Sequence, residues 1–321
     1  MRSVVCEELG SVVVRDADPP AEPASGQVVV AVEAAGVNYV DGLFVQGRYQ
    51  IRPPLPFVPG SEIAGTVVAA APDVTAPAVG TRVLAMCGLG GFAERVAVPA
   101  AAAVPIPAGL DAARAATFTQ SHCTGLFGLR ERAGLRPGET VLVLGAGGGV
   151  GLAAVQIATA LGARVLAAAS SEEKRKAALA AGAEAAVDSS SEDVKTAARA
   201  WSSGGVDVVY DPVGGPLAEP ALRALREFGR YVVIGFASGG IPSLPLNQVL
   251  LRNRTVVGVD WGAWTGTHPA EQRALVEELL TMVAEGRLTP VAPRTAPLEE
   301  AGTVLDDLLN RRVVGKVALT P

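Results

Sequence analysis

The stretch VLVLGAGGGVGLAAVQ at residues 141–156 constrains the fold more than any other part of the chain. An apolar run ends in Ala146-Gly147-Gly148-Gly149-Val150-Gly151, and an alanine-rich helical segment begins without a spacer. With side chains missing where the backbone turns, the first helical N–H groups can approach an anion closely. The spacing is A-x-G-x-x-G rather than G-x-G-x-x-G, and an ordinary strand-to-helix turn can also carry a glycine cluster. Its surroundings decide between the two. ARVLAAAS, EEKRKAALAAGA, VDVVYDPV, GRYVVIGF and TVVGVD follow as alternating strand-like and helix-like segments. Such alternation specifies an α/β doubly wound parallel sheet with helices on both faces. Ala146, Gly148, Gly149, Val150 and Gly151 are therefore expected to hold a dinucleotide pyrophosphate.

The dinucleotide follows from the end of the next strand. An acid about 20 residues past the glycines would accept from a ribose 2′-hydroxyl. The chain has AAASSEEKRK there, with Ser170 and Ser171 in the acidic place and Lys174 one turn into the following helix. That leaves room for a 2′-phosphate and supplies a cation for it, so NADPH is the expected cofactor. A capping box between Ser170 and Glu173 is compatible with this, because capping does not occupy Lys174.

The first 115 residues differ in texture. Short Val-rich runs (QVVVAVEAAGV, GTVVAAA, TRVLAM, ERVAVP) are separated by Gly and Pro, a β-domain pattern. After residue 265 come two helical segments, PAEQRALVEELLTMVAEG and LEEAGTVLDDLLN, and a last strand, GKVALT. This tail is too small to form a core alone and is expected to return to the β-rich part. The net charge of −5 offers no footprint for nucleic acid or an anionic membrane. No apolar stretch reaches the roughly 18 residues of a spanning helix. The start MRSVVCEELG has no apolar signal core, and Cys6, Cys87 and Cys123 are too dispersed for a disulfide framework. A soluble cytoplasmic protein is expected.

The chain resembles the medium-chain dehydrogenase/reductases, and among them the zinc-free quinone oxidoreductases of the zeta-crystallin type. The resemblance lies in GVNYVDGLFVQGRY, PFVPGSEIAGTVV, GGFAERVAVP, GLRPGETVLVLGAGGGVGLAAVQIA, GVDVVYDPVGG and GKVAL, in family order and over nearly the full length. It implies a GroES-like catalytic domain at 1–118, a Rossmann domain at 119–264 and a return segment at 265–321, with the active site in the cleft. Zinc members of the superfamily draw a cysteine and a histidine from positions that are Asn38 and Ser61 here, and neither is a good zinc ligand. The cysteine-rich lobe near residue 90 is reduced to Cys87, and the adjacent His122 and Cys123 read as packing residues. Chemistry without metal is expected.

The implied activity is hydride transfer from NADPH to a quinone or an α,β-unsaturated carbonyl. By family match, Asn38 lies near the nicotinamide ribose and Tyr49 faces substrate; a turn cap and a loop anchor are the plain alternatives. Asp41 and Glu62 fit structural hydrogen bonding. Thr124 matches a cofactor-facing threonine, and the YDPVGG and IGFAS loops bring Asp211, Val213, Ile234, Gly235, Phe236 and Ser238 to the cofactor. Arg311 or Arg312 reaches the phosphates. Leu43 and Ser189 stand where the family has tyrosines, which bears on the quinone substrate and on adenosine. Trp261 and Trp264 either line a substrate wall or pack the domain junction. An enoyl-thioester reductase and a non-catalytic NADPH-binding protein are the other readings, and pairing of the apolar TVVGVD edge predicts a homodimer.

Overall fold

The computed structural model describes residues 1–20 and 22–321. The chain divides into two compact units. One comprises Met1–Gln120, Ala270–Glu285 and Ala292–Pro321; the other comprises Ser121–Pro269 and Gly286–Val291. Residues 286–291 thus group with the parallel-sheet unit, although they lie inside the return segment. Gln156 Nε2 donates to the Thr289 carbonyl within that unit.

In the parallel-sheet unit the strands run in the order Ala185–Asp188, Arg164–Ala169, Thr140–Leu144, Val206–Asp211, Leu225–Val233 and Thr255–Gly258. Every pairing among them is parallel. Thr140–Leu144 is buried along its whole length, as a strand covered on both faces must be. The helix Gly149–Ala160 that follows it is buried from Gly151 to Ala158. Thr255–Gly258 closes one edge and is largely exposed.

In the other unit, the described residues form a seven-stranded, mainly antiparallel sheet. Its longest member, Gln27–Val37, pairs with Glu62–Ala70, with Arg95–Pro99 and with the closing strand Val317–Thr320. Alternating valines put Val28, Val30 and Val32 into a core with Ile63, Val67, Phe92 and Leu319. The return segment contributes the helices Pro269–Ala284 and Ala301–Leu309; Val304 and Leu305 of the second enter the same core. Two register alignments matter for the chemistry. Val317 lies opposite Val37, and Glu62 lies opposite Gly36. The residues just past those strand ends, Lys316 and Asn38, are consequently brought side by side.

Candidate active site

The glycine turn is shaped by what its residues cannot carry. Gly145 takes φ +58°, a left-handed conformation suited to glycine. A Cβ on Gly147 would meet Lys174 Cβ at 2.3 Å, and one on Gly151 would meet the Gly145 carbonyl at 2.2 Å. Gly148 is the N-cap of the Gly149–Ala160 helix, whose first-turn N–H groups have no intrahelical partner. Ala146 is buried in the turn and donates its N–H to the Ala168 carbonyl, while Val150 is half-buried one residue into the helix. Such a turn could hold an anionic group on its backbone N–H groups. Sequence reasoning started the motif at Ala146; the turn needs Gly145 as well.

The cap of the next helix falls one residue later than expected. Ser171, not Ser170, is the N-cap, and its hydroxyl accepts from the Lys174 N–H at 3.3 Å. Ser170 is left exposed at the end of Arg164–Ala169. Lys174 lies half-buried with the start of its stem against Gly147.

Two loops close around this turn. Asp211 is 2% exposed; its Oδ1 accepts from the N–H groups of Val213 (2.7 Å) and Gly214 (2.9 Å), and its Oδ2 accepts from the Tyr231 hydroxyl. Its carboxylate is thus taken up in holding its own loop. Val213 Cγ2 reaches to 2.7 Å of where a Cβ on Gly145 would be. Ile234 and Gly235 both donate to the Asp211 carbonyl, and Ser238 N–H donates to the Val213 carbonyl. Phe236, 38% exposed, lies against Gly214. Thr124, in the same unit, is half-buried on the helix Thr119–Leu126. Trp261 is buried there, and Trp264 lies between ring contacts with Phe127 (4.6 Å) and His268 (5.2 Å). His122 is buried and bonds Gln156 at 3.0 Å, the packing role expected of it.

The mixed-sheet unit holds a second cluster, made of side chains. Asn38 is 4% exposed. Its Nδ2 donates to Glu62 Oε1 at 2.9 Å and lies 3.4 Å from Ser61 Oγ, while its Oδ1 accepts from Lys316 Nζ. Lys316 also pairs with Glu62 Oε1 at 2.9 Å. Glu62 Oε2 accepts from the Gln120 N–H at 2.9 Å, and Ser61 Oγ donates to Gln120 Oε1 at 3.0 Å. Asp41 accepts from the Asn38 backbone N–H at 2.7 Å. Burial pushes the Asp41 carboxyl up to about 7, against the pull of that bond and of Lys316. Asp41 and Glu62 are thus hydrogen-bonding residues, as expected, whereas Lys316 and Gln120 were not singled out. Nothing local marks them, since Lys316 reaches Asn38, and Gln120 reaches Glu62 and Ser61, only through strand pairing and chain reversal.

Tyr49 is half-buried and packs edge-on against Phe44, centroids 5.0 Å apart. The two arginines near the C-terminus separate clearly. Arg312 is tied to Asp306 and Asp307, while Arg311 sits in the left-handed region at φ +59° just past the Ala301–Leu309 helix.

For zinc the donor set is a poor fit. Asn38 Oδ1 and Glu62 already carry an ammonium, and burial raises the Cys87 thiol to about 12, where it donates to the Gly60 carbonyl. Among the described residues no group of three or more His, Cys, Asp or Glu is placed to hold a metal ion. No helix of the described residues is long and apolar enough to cross a membrane.

The alcohol dehydrogenase GroES-like domain family matches residues 24–108, and the zinc-binding dehydrogenase family matches 149–281. A quinone oxidoreductase-like protein 2 homolog of Nematostella vectensis is 38% identical over 99% of this chain and 88% of its own length. The chain belongs to the quinone oxidoreductase family of medium-chain dehydrogenase/reductases. It is an oxidoreductase, with the Rossmann and GroES-like parts that the resemblance implied. The quinone oxidoreductase of Thermus thermophilus, whose crystal structures include a complex with NADPH, is 39% identical and superimposes with TM-score 0.84 over 100% of both chains. The family uses NADPH. A phthioceranic/hydroxyphthioceranic acid synthase of Mycobacterium tuberculosis is 36% identical over 92% of this chain, which spans 14% of that much longer protein.

Proposed function

We propose that this protein is a zinc-free, NADPH-dependent reductase that passes hydride to a quinone or an α,β-unsaturated carbonyl. The observation that carries the reading is Lys174 packed on Gly147, beside an exposed Ser170 where an NAD enzyme would place an acid. When bound, NADPH supplies the hydride. Gly148, Gly149, Val150 and Gly151 hold its pyrophosphate by backbone N–H groups, Ser170, Ser171 and Lys174 hold its 2′-phosphate, and Arg311 adds a charge for the phosphates. The loops of Val213 and of Ile234–Ser238, with Thr124, shape the rest of the cofactor site. Asn38 serves the nicotinamide ribose, and Tyr49 donates to the substrate oxygen on which charge develops.

Stopped-flow oxidation of NADPH with a panel of quinones, enones and acyl thioesters, with and without chelator, tests this reading. The expected outcome is turnover with quinones or enones, undiminished by chelator, and much weaker turnover with NADH. Activity that vanishes in chelator and returns with zinc overturns it. The match to the mycobacterial synthase favours an enoyl-thioester reductase as the second reading, and turnover confined to the thioesters would select it.

The same protein is proposed to be a homodimer. The exposed edge strand Thr255–Gly258 lies near a run of exposed apolar side chains, Leu246, Leu250 and Leu251, and Phe228 is 69% exposed at φ +58°. Phe228 N–H donates to the Arg252 carbonyl, so these groups share one margin of the sheet. Pairing of that edge with a second copy across a two-fold axis would cover them. A monomer at micromolar concentration in light scattering would sink this proposal.

A further inference from the structure

We propose that Lys316 is the positioning residue of the Asn38 carboxamide: with Glu62 it permits one orientation of that amide and so leaves Asn38 a hydrogen-bond donor toward its ligand. The two ends of a carboxamide have nearly the same shape, and only partners distinguish them. Here the partners are one-sided. An ammonium can only donate, and its Nζ meets Asn38 Oδ1; an ionised carboxylate can only accept, and Glu62 Oε1 lies 2.9 Å from Asn38 Nδ2. A flipped amide would set NH2 against NH3⁺ and C=O against COO⁻, two repulsive contacts in a site where Asn38 is 4% and Glu62 1% exposed. The 2.9 Å contact between Lys316 and Glu62 holds both partners in place.

Register explains how a residue 278 positions away does this. Val317 pairs with Val37 in the antiparallel ladder, so Lys316 emerges opposite Asn38. Oδ1 is then committed to a cation, while one Nδ2 hydrogen is held by Glu62 and the other makes only the 3.4 Å contact with Ser61 Oγ. That second hydrogen is the one available for exchange to a ligand acceptor. The ligand clause rests on the reading of Asn38 at the nicotinamide ribose; the orientation clause does not.

Selective 15N-asparagine labelling separates the two clauses. The chain has Asn38, Asn247, Asn253 and Asn310, and all but Asn38 are exposed. In Lys316→Met the Asn38 side-chain protons should exchange roughly tenfold faster, the loss of about one charge-assisted bond. Its backbone N–H, bonded to Asp41, should be unchanged, and Lys316→Arg should stay near wild type. Should Lys316→Met not fold, Lys316→Met with Glu62→Gln removes the stranded carboxylate and must show the same side-chain acceleration. Unchanged side-chain exchange, or backbone and side chain accelerating together, overturns the proposal. NADPH titration completes the test. Lys316→Met should weaken binding roughly tenfold in wild type and not at all in Asn38→Ala. Wild-type NADPH affinity in Asn38→Ala would defeat the ribose reading, while the exchange rates would still decide the role of Lys316.

Discussion

The turn at residues 145–151 is built by leaving side chains out, whereas the cluster around Asn38 is built by packing them in. In the turn, a single methyl at Gly147 or Gly151 would collide with neighbours at 2.3 or 2.2 Å, and the groups on offer are backbone N–H donors. In the cluster, Asn38, Ser61, Glu62, Gln120 and Lys316 satisfy one another, and the chain segments that supply them are far apart in sequence. A backbone-built site is rigid because its geometry is set by φ and ψ within one short segment. A side-chain network is rigid only while every member is present. Damage to the first should therefore appear in cofactor binding alone, and damage to the second in folding as well.

The largest effect is expected at Glu62. Glu62→Ala strands the Lys316 ammonium, 13% exposed, and frees Asn38 Nδ2 and the Gln120 N–H of their acceptor. Loss of one partner of a buried ion pair costs about 3–5 kcal/mol, to be read from urea denaturation at pH 7. A loss below about 1 kcal/mol would mean that the cluster does not hold the fold.

Next comes Asp41, whose raised carboxyl gives the mixed-sheet unit a pH signature. The folded chain keeps on Asp41 a proton that the unfolded chain releases near pH 4. Its contribution is thus complete below about pH 4 and is lost as pH rises through about 7. Asp41→Asn keeps an acceptor for the Asn38 N–H and cannot ionise. Its stability relative to wild type should climb by a few kcal/mol between pH 4 and pH 7. Parallel stability curves for the two proteins would refute the buried neutral acid.

Lys174 tests the other side of the comparison. Lys174→Ala should weaken NADPH by about 1.5–3 kcal/mol, roughly 10- to 150-fold, with NADH affinity and denaturation midpoint unchanged. Ser170→Asp should shift preference toward NADH, by repelling a 2′-phosphate and accepting from a 2′-hydroxyl. Equal losses for both cofactors would return Lys174 to a purely structural role.

The smallest effect belongs to Arg311. A left-handed non-glycine residue costs about 1 kcal/mol, so Arg311→Gly should raise the unfolding free energy by about that amount while NADPH affinity falls. Higher stability with unchanged affinity would remove Arg311 from the cofactor site.

The sequence by itself determined whatever depends on neighbours along the chain. The parallel-sheet unit was legible because strand, glycine turn and helix follow one another, and because burial on both faces demands unbroken apolar runs such as VLVL. The missing acid at Ser170 and the cation at Lys174 were legible for the same reason. Even there the local reading slipped by one residue at Ser171, since a cap is chosen by backbone geometry that Ser170 and Ser171 could equally provide. What occupies the Asp211 carboxylate was not legible either, because the Tyr231 hydroxyl lies on another strand. Tertiary structure alone decided Lys316 and Gln120. A lysine in GKVAL looks like any solvated charge until antiparallel pairing sets it against Asn38, and Gln120 belongs to the network only because Glu62 reaches its N–H across the fold. Burial then does what no sequence pattern can announce. It turns Asp41 into an acid that titrates near neutrality and turns a lysine–glutamate pair into the element that orients an amide.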